Sequence, residues 1–130
     1  MIVAVTGGRD FQHSHVVYNA MVELCRDATL LVHGGARGVD TFAAEAAASL
    51  GIPTLEFQAD WDTHGRAAGP LRNQRMVDFG PDLLIAFPGG RGTADMVRRC
   101  AKAGIRTVQL TDADVARHFF GDEPEPVSSR

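Results

Sequence analysis

Asp82-Leu83-Leu84-Ile85-Ala86-Phe87-Pro88-Gly89-Gly90-Arg91-Gly92-Thr93-Ala94-Asp95 is the stretch on which the fold turns. Leu83 to Phe87 is apolar throughout, as in a central parallel strand covered on both faces, where no alternation with polar residues is needed. Pro88 has no N–H to give and ends the ladder, while Gly89, Gly90 and Gly92 let the backbone turn tightly and approach a ligand closely. Thr93 and Asp95 stand where the next helix is expected to begin. A strand that passes through such a loop into a helix leaves unpaired N–H groups and the positive helix end facing whatever lies above it. That arrangement suits an anion, most naturally phosphate. A tight turn that binds nothing has the same local signature, so the choice rests on the rest of the chain.

Upstream, the same pattern recurs twice. The β-branched run at residues 2–6 opens onto Gly7-Gly8, then Arg9-Asp10-Phe11 and a helix over 14–26 with Val17, Met21, Leu24 and Cys25 on one face. A second strand over 30–33 opens onto Gly34-Gly35 and an alanine-rich helix over 40–50, closed by Gly51 and Pro53. A third strand is predicted over 54–57, followed by a polar loop over 59–70 that holds the lone tryptophan, Trp61, and reads as a lid. Pro70 is expected to open a helix that Gly80-Pro81 ends. Beyond the opening stretch come a helix over 93–103, a strand over 107–110, a short helix within 112–120, and a polar tail over 121–130 read as disordered.

Five strands alternating with helices predict an α/β fold, a three-layer α/β/α Rossmann-like sandwich with a five-stranded parallel sheet in the order 3-2-1-4-5, built as one domain over 1–120. Ligands of such sheets bind at the carboxyl ends of the strands where the order reverses, between strands one and four. The Gly7-Gly8 and Gly89-Gly90 loops would flank that crevice, with Gly34-Gly35 beside them.

With 130 residues, 45% of them hydrophobic, the chain can build one full core. A net charge of −3 and a pI near 5.9 argue against a surface that tracks nucleic acid as a whole. Twelve of the thirteen basic residues are arginine, whose planar fork suits phosphate, and Arg9, Arg37 and Arg91 lie in glycine loops. Arg98, Arg99 and Arg117 are attributed to general arginine richness. Cys25 and Cys100 fall in predicted helices without metal-like spacing, so reduced thiols and no metal site are expected. With no leader and no membrane-length apolar run, a cytoplasmic protein without membrane association is expected.

Four motifs resemble the Rossmann-like SLOG superfamily, which includes the LOG phosphoribohydrolases and the DprA DNA-processing proteins, and most closely its small YspA-like (DUF2493) group. They are Thr6-Gly7-Gly8-Arg9-Asp10-Phe11, His33-Gly34-Gly35-Ala36-Arg37-Gly38-Val39-Asp40, Gly69-Pro70-Leu71-Arg72-Asn73 with Met76, and Pro88-Gly89-Gly90-Arg91-Gly92-Thr93. LOG enzymes hydrolyse nucleoside 5′-monophosphates at the glycosidic bond, with a glutamate three positions after the threonine of the last motif and an arginine–lysine pair upstream. Here Arg72 and Met76 match, Asn73 stands in place of the lysine, and Met96 occupies the glutamate position. A thioether can neither guide a water nor stabilise oxocarbenium character. The loop from Gly34 to Asp40 also resembles the DprA segment that binds single-stranded DNA. The acidic balance and only nine aromatic residues (seven Phe, one Trp, one Tyr) weigh against that use.

The resemblance implies a small-molecule nucleotide ligand (a nucleoside phosphate, ADP-ribose or an NAD-like molecule) bound by a sensor or carrier, with no cofactor required and with homo-oligomerisation as in LOG relatives. The candidate ligand residues are Gly7, Gly8, Arg9, Asp10, Phe11, Gly34, Gly35, Arg37, Gly38, Asp40, Trp61, Arg72, Asn73, Gly89, Gly90, Arg91, Gly92 and Thr93. The arginines either clamp phosphate or pair with Asp10, Asp40 and Asp95. Asp10 and Asp40 either bind ribose hydroxyls or act as caps, and Trp61 either stacks on a base or covers the core edge. His33 reads as a satisfied strand-end histidine and His64 as a weak general base. In the alternative reading, a hydrolase of a glycosidic or phosphoester bond, Asp95, Asp40 or Asp10 replaces the missing glutamate.

Overall fold

A computed structural model describes residues 1–117; the expected continuation of the last helix to 120 and the tail over 121–130 lie outside the described residues. The chain runs β1 (Ile2–Thr6), α1 (Ser14–Leu24), β2 (Leu30–His33), α2 (Val39–Ser49), β3 (Thr54–Glu56) and α3 (Trp61–His64). A single 3₁₀ turn (Gly65–Ala67) then leads into α4 (Ala68–Asp78), β4 (Leu83–Ala86), α5 (Arg91–Lys102), β5 (Arg106–Gln109) and α6 (Asp112–Ala116). All strand pairs are parallel, in the order β3-β2-β1-β4-β5, which is the expected Rossmann-like topology.

β1 and β4 take the centre because they are the runs that tolerate burial on both faces. They pair from Val3↔Leu83 to Thr6↔Ala86, and all of β4 is buried. The alternation is present but hidden by uniformly apolar residues. Val3, Val5, Leu31, Leu83 and Ile85 enter one core with Val17 and Met21 of α1, Ala43 and Ala47 of α2, and Val115 of α6. Ala4, Val32, Leu84 and Ala86 enter a second core with Met76 and Val77 of α4 and Met96 and Cys100 of α5. Alanine on the inner face of α2 lets that helix lie close to the sheet, where a larger side chain would hold it off.

Two local expectations differ. The segment over 59–70 is mostly helical: the Asp60 carboxylate accepts from Thr63 N–H at 3.1 Å and caps α3, and α4 starts at Ala68. Gly69 and Pro70 therefore sit inside the first turn of α4, where a missing N–H costs nothing because no intrahelical acceptor exists. α5 begins at Arg91, with Gly90 as its N-cap, so Thr93 is its third residue and not its first.

Gly38, the N-cap of α2, has φ 79, and a Cβ there would lie 2.6 Å from the Arg9 carbonyl oxygen and even closer to that of Gly8. Gly38→Ala adds left-handed strain to this clash, and urea unfolding is expected to show a loss of about 2 kcal/mol or more.

Candidate functional site

The loops leaving β1, β2 and β4 are joined to one another through backbone. Gly8 N–H donates to Pro88 O at 2.9 Å, and Gly8 O accepts from Val39 N–H at 3.2 Å, where α2 begins. The glycines divide accordingly. A Cβ on Gly7 would lie 2.5 Å from Val39 Cγ2, one on Gly8 3.1 Å from Pro88 O, and one on Gly89 2.8 Å from Gly8 N, so these three face other protein. A Cβ on Gly90 or Gly92 would meet nothing within 4 Å. Those two leave their side of the crevice open.

Above these loops lies a cleft of about 1040 Å³. It brings together every residue expected to contact ligand except Phe11, Gly38 and Gly89. Phe11 turns towards Phe87, with ring centroids 5.9 Å apart, and Gly89 packs on the Thr93 side chain. Glu56, Gln58, Arg66 and Arg98 also line the cleft. Sequence reasoning missed Glu56 and Gln58 because they belong to the edge strand and its exit, and dismissed Arg98 as compositional. Their one available signal was position at the carboxyl end of a predicted strand and on the helix after the glycine loop.

α5 starts without a side-chain cap. Its first backbone bond runs from Ala94 N–H to Gly90 O at 3.0 Å, so the N–H groups of Arg91, Gly92 and Thr93 precede it and point out of the helix start. Arg9, Arg37, Arg66, Arg72, Arg91 and Arg98 line the cleft against Asp10, Asp40, Glu56 and Asp95, six cations to four acids. Arg37 pairs with Asp10 at 3.1 Å, but both side chains are largely exposed and the pair contributes little. Among the described residues, Arg9, Arg66 and Arg91 make no ion pair or side-chain hydrogen bond. The cleft therefore holds uncompensated positive charge beside an uncapped helix start.

Arg72 and Asn73 come from α4 and are held in place by the loops they join. Arg72 Nη1 donates to Gly34 O at 2.7 Å and Nε to Asn73 Oδ1 at 3.0 Å. Burial holds the Arg72 guanidinium below the usual arginine range, a shift that the Asp40 charge opposes. Asn73, 5% exposed, donates through Nδ2 to Gly92 O at 3.2 Å and to Asp95 Oδ2 at 3.0 Å. Arg75, one turn on, donates to Gln58 O at 2.7 Å.

The candidate carboxylates are all engaged. Asp40 Oδ2 accepts from Gly34 N–H at 3.1 Å and Ala36 N–H at 3.2 Å, which makes it the internal brace of the loop after β2. Burial raises its pKa against the lowering effect of those amides and of His33 and Arg72. Asp95 accepts from Arg99 Nε at 2.8 Å and from Asn73, with Arg98 at 3.4 Å. Its burial alone pushes the pKa up, but the bonds from Arg99 and Asn73 and the arginine charges outweigh it and leave the group below the ordinary range. Arg98 and Arg99 thus have structural partners that compositional reasoning did not anticipate. Met96 is fully buried in the second core, so its position offers the cleft no side chain.

His33 is buried, and its Nδ1 accepts from Gly35 N–H at 3.0 Å. His64 does not line the cleft. Burial pushes the thiols of Cys25 and Cys100 up to about 11, far from thiolate reactivity. Among the described residues, no group of three or more His, Cys, Asp or Glu could hold a metal ion, and no helix is long and apolar enough to cross a membrane.

Residues 1–64 match the family model described as the YspA, cpYpsA-related SLOG family. The Gene 61 protein of Mycobacterium phage D29 is 38% identical over 132 residues, covering 94% of this chain and 98% of that protein. Among solved structures, TM1055 aligns with a TM-score of 0.70 at 15% identity, over 85% of this chain and 74% of that one, a likeness of fold. DNA processing protein A of Streptococcus pneumoniae aligns at a TM-score of 0.48 and 20% identity, over 88% of this chain and 60% of that one, too loosely to inform the site.

Met96→Glu, which restores the LOG carboxylate in sequence, is expected to bury an unpaired charge, lower stability by about 3 kcal/mol or more in urea unfolding, and yield no hydrolase activity. Asp95→Asn is expected to cost about 1–2 kcal/mol at neutral pH. Because the folded pKa of Asp95 is depressed, its contribution is present above the unfolded aspartate pKa of about 3.9 and is lost as pH falls through the folded value. The gap between variant and wild type should therefore close in acid, as read by unfolding at stepped pH.

Proposed function

The chain belongs to the YspA, cpYpsA-related SLOG family, and from that premise we propose that its cleft binds a nucleoside phosphate or a nucleotide-derived ligand such as ADP-ribose, as a sensor or carrier. The observation that supports this most directly is the uncapped start of α5 in a cleft of about 1040 Å³ that is also lined by Arg9, Arg66 and Arg91, which make no ion pair among the described residues. Backbone N–H groups, a helix end and guanidinium forks together favour a phosphate head. Trp61 is half-exposed and is the aromatic residue that lines the cleft, a suitable face for a base. No cofactor is needed for this role. The proposal includes the cytoplasmic setting in which two free thiols persist and the self-association that the LOG resemblance implies.

The hydrolase reading is less well supported. Met96 lies in the core, Asp95 and Asp40 are committed to structural partners, and Asp10 stands in an exposed ion pair. A base that is already accepting from an arginine, with a depressed pKa, is poorly suited to take a proton from water near neutral pH. Single-stranded DNA is also disfavoured, since one lining tryptophan does not provide the successive stacking platforms that strand binding uses.

Titration of Trp61 fluorescence with adenosine 5′-monophosphate and with ADP-ribose is expected to saturate, and Arg91→Ala to weaken binding about tenfold. Chromatography after prolonged incubation is expected to return both ligands intact. Recovery of a free base or a released phosphate would move the assignment to the hydrolase. Absence of saturable binding and of any thermal stabilisation at several millimolar ligand would overturn the proposal.

A further inference from the structure

Among the described residues, Glu56 forms no ion pair with any cation, and unlike Asp40 it accepts no backbone N–H. It is the last residue of β3, in register with His33, and its carboxylate lies over the loop that follows β2. Gly35 makes room for it: with φ 73 and no side chain, Gly35 occupies a position where a Cβ would run into Glu56 Oε2. The next residue back behaves in the same way, since a Cβ on Gly34 would run into the Arg72 guanidinium. These two glycines therefore admit two charged protein side chains to the cleft rather than a phosphate. Although six arginines line the same space, none forms an ion pair with Glu56; its side-chain partner is Gln58 Nε2 at 3.2 Å. Gln58 is itself anchored through its backbone oxygen to Arg75, so the carboxylate and the amide form a held edge facing the cleft.

An unpaired carboxylate repels an anion and accepts from N–H and O–H donors. β3 and β4 are three strand spacings apart, and with the Glu56 carboxylate leaning over the loop after β2 it still stands about two spacings, ~10 Å, from the strand that leads into α5. A free phosphate cannot bridge them; a nucleoside phosphate can. We propose that Glu56 is the specificity-determining residue of the cleft, accepting hydrogen bonds from the uncharged, donor-bearing end of a nucleoside 5′-monophosphate whose phosphate sits over the start of α5. This rests on the nucleotide-binding reading above. It adds that the ligand has one anionic end only, and a second phosphate at the far end is excluded by charge.

Calorimetric titration of wild type and Glu56→Gln with adenosine 5′-monophosphate, adenosine 3′,5′-bisphosphate and inorganic phosphate tests it. Wild type should prefer the monophosphate over the bisphosphate by about tenfold or more, and Glu56→Gln should weaken the monophosphate about tenfold and erase the preference. Affinity for inorganic phosphate should be no weaker in the variant, and its thermal unfolding should match wild type, since Glu56 is exposed on an edge strand. The donor is either a sugar hydroxyl or a base amino group. Of 2′-deoxyadenosine and inosine 5′-monophosphates, the one that no longer responds to Glu56→Gln lacks the group Glu56 holds. If the variant binds adenosine 5′-monophosphate within about twofold of a wild type that binds it well, this assignment is wrong while nucleotide binding stands. If wild type binds no nucleotide, the nucleotide-binding reading fails first, and that result is distinct.

Discussion

The backbone of one residue joins the working edge of this protein. Gly8, at the end of the central strand, donates its N–H to Pro88 and accepts from Val39 and Phe11, so the loops after β1 and β4 and the start of α2 share a single backbone hub. The hub exists only because side chains are missing around it: Gly7, Gly8, Gly38 and Gly89 all lie where a Cβ would meet another segment at or inside contact distance. Backbone groups that find partners in this way need none from solvent, which allows three loops to converge without leaving buried polar atoms unpaired. The open glycines, Gly90 and Gly92, can then face outward over the crevice.

α4 is the second organiser. Its polar face sends Arg72 to Gly34, Asn73 to Gly92 and Asp95, and Arg75 to Gln58, so one helix ties the exits of β2, β3 and β4 together. The chain extends from Asn73 through Asp95 to Arg99 and Gln74, which couples α4 to α5 beside the start of α5. Side chains committed in this way are poor catalysts but good scaffolding, because each holds another group at a fixed place. Among the described residues, the charges of the cleft left without an ion pair include Arg9, Arg66, Arg91 and Glu56.

Sequence and structure agree where local chemistry decides. The apolar runs and the glycine punctuation prescribe strands, loops and their alternation, and right-handed crossovers convert that alternation into the order β3-β2-β1-β4-β5. The position of the candidate cleft was legible for the same reason, since it opens at the strand ends where the glycine loops lie. The segment over 59–70 was harder, because an exposed helix that buries none of its own residues has no apolar periodicity to show. Arg98 and Arg99 pair with Asp95 of their own helix at i,i+3 and i,i+4 spacings that the sequence already carried; only the Gln74 partner of Arg99 required α4 and α5 to lie side by side.

The opening stretch shows the division most clearly. Its residues alone determined a buried strand, a break at Pro88 and a glycine-led entry to a helix, since each of these follows from covalent geometry and hydration. Only the tertiary structure decided which glycines face protein and which face the cleft, that Met96 turns into the core, and that Glu56, distant in sequence, lines the same cleft as the start of α5 without an ion pair among the described residues. Those outcomes depend on which segments become neighbours, and neighbours are chosen by the packing of two apolar cores on one sheet rather than by any single stretch of chain.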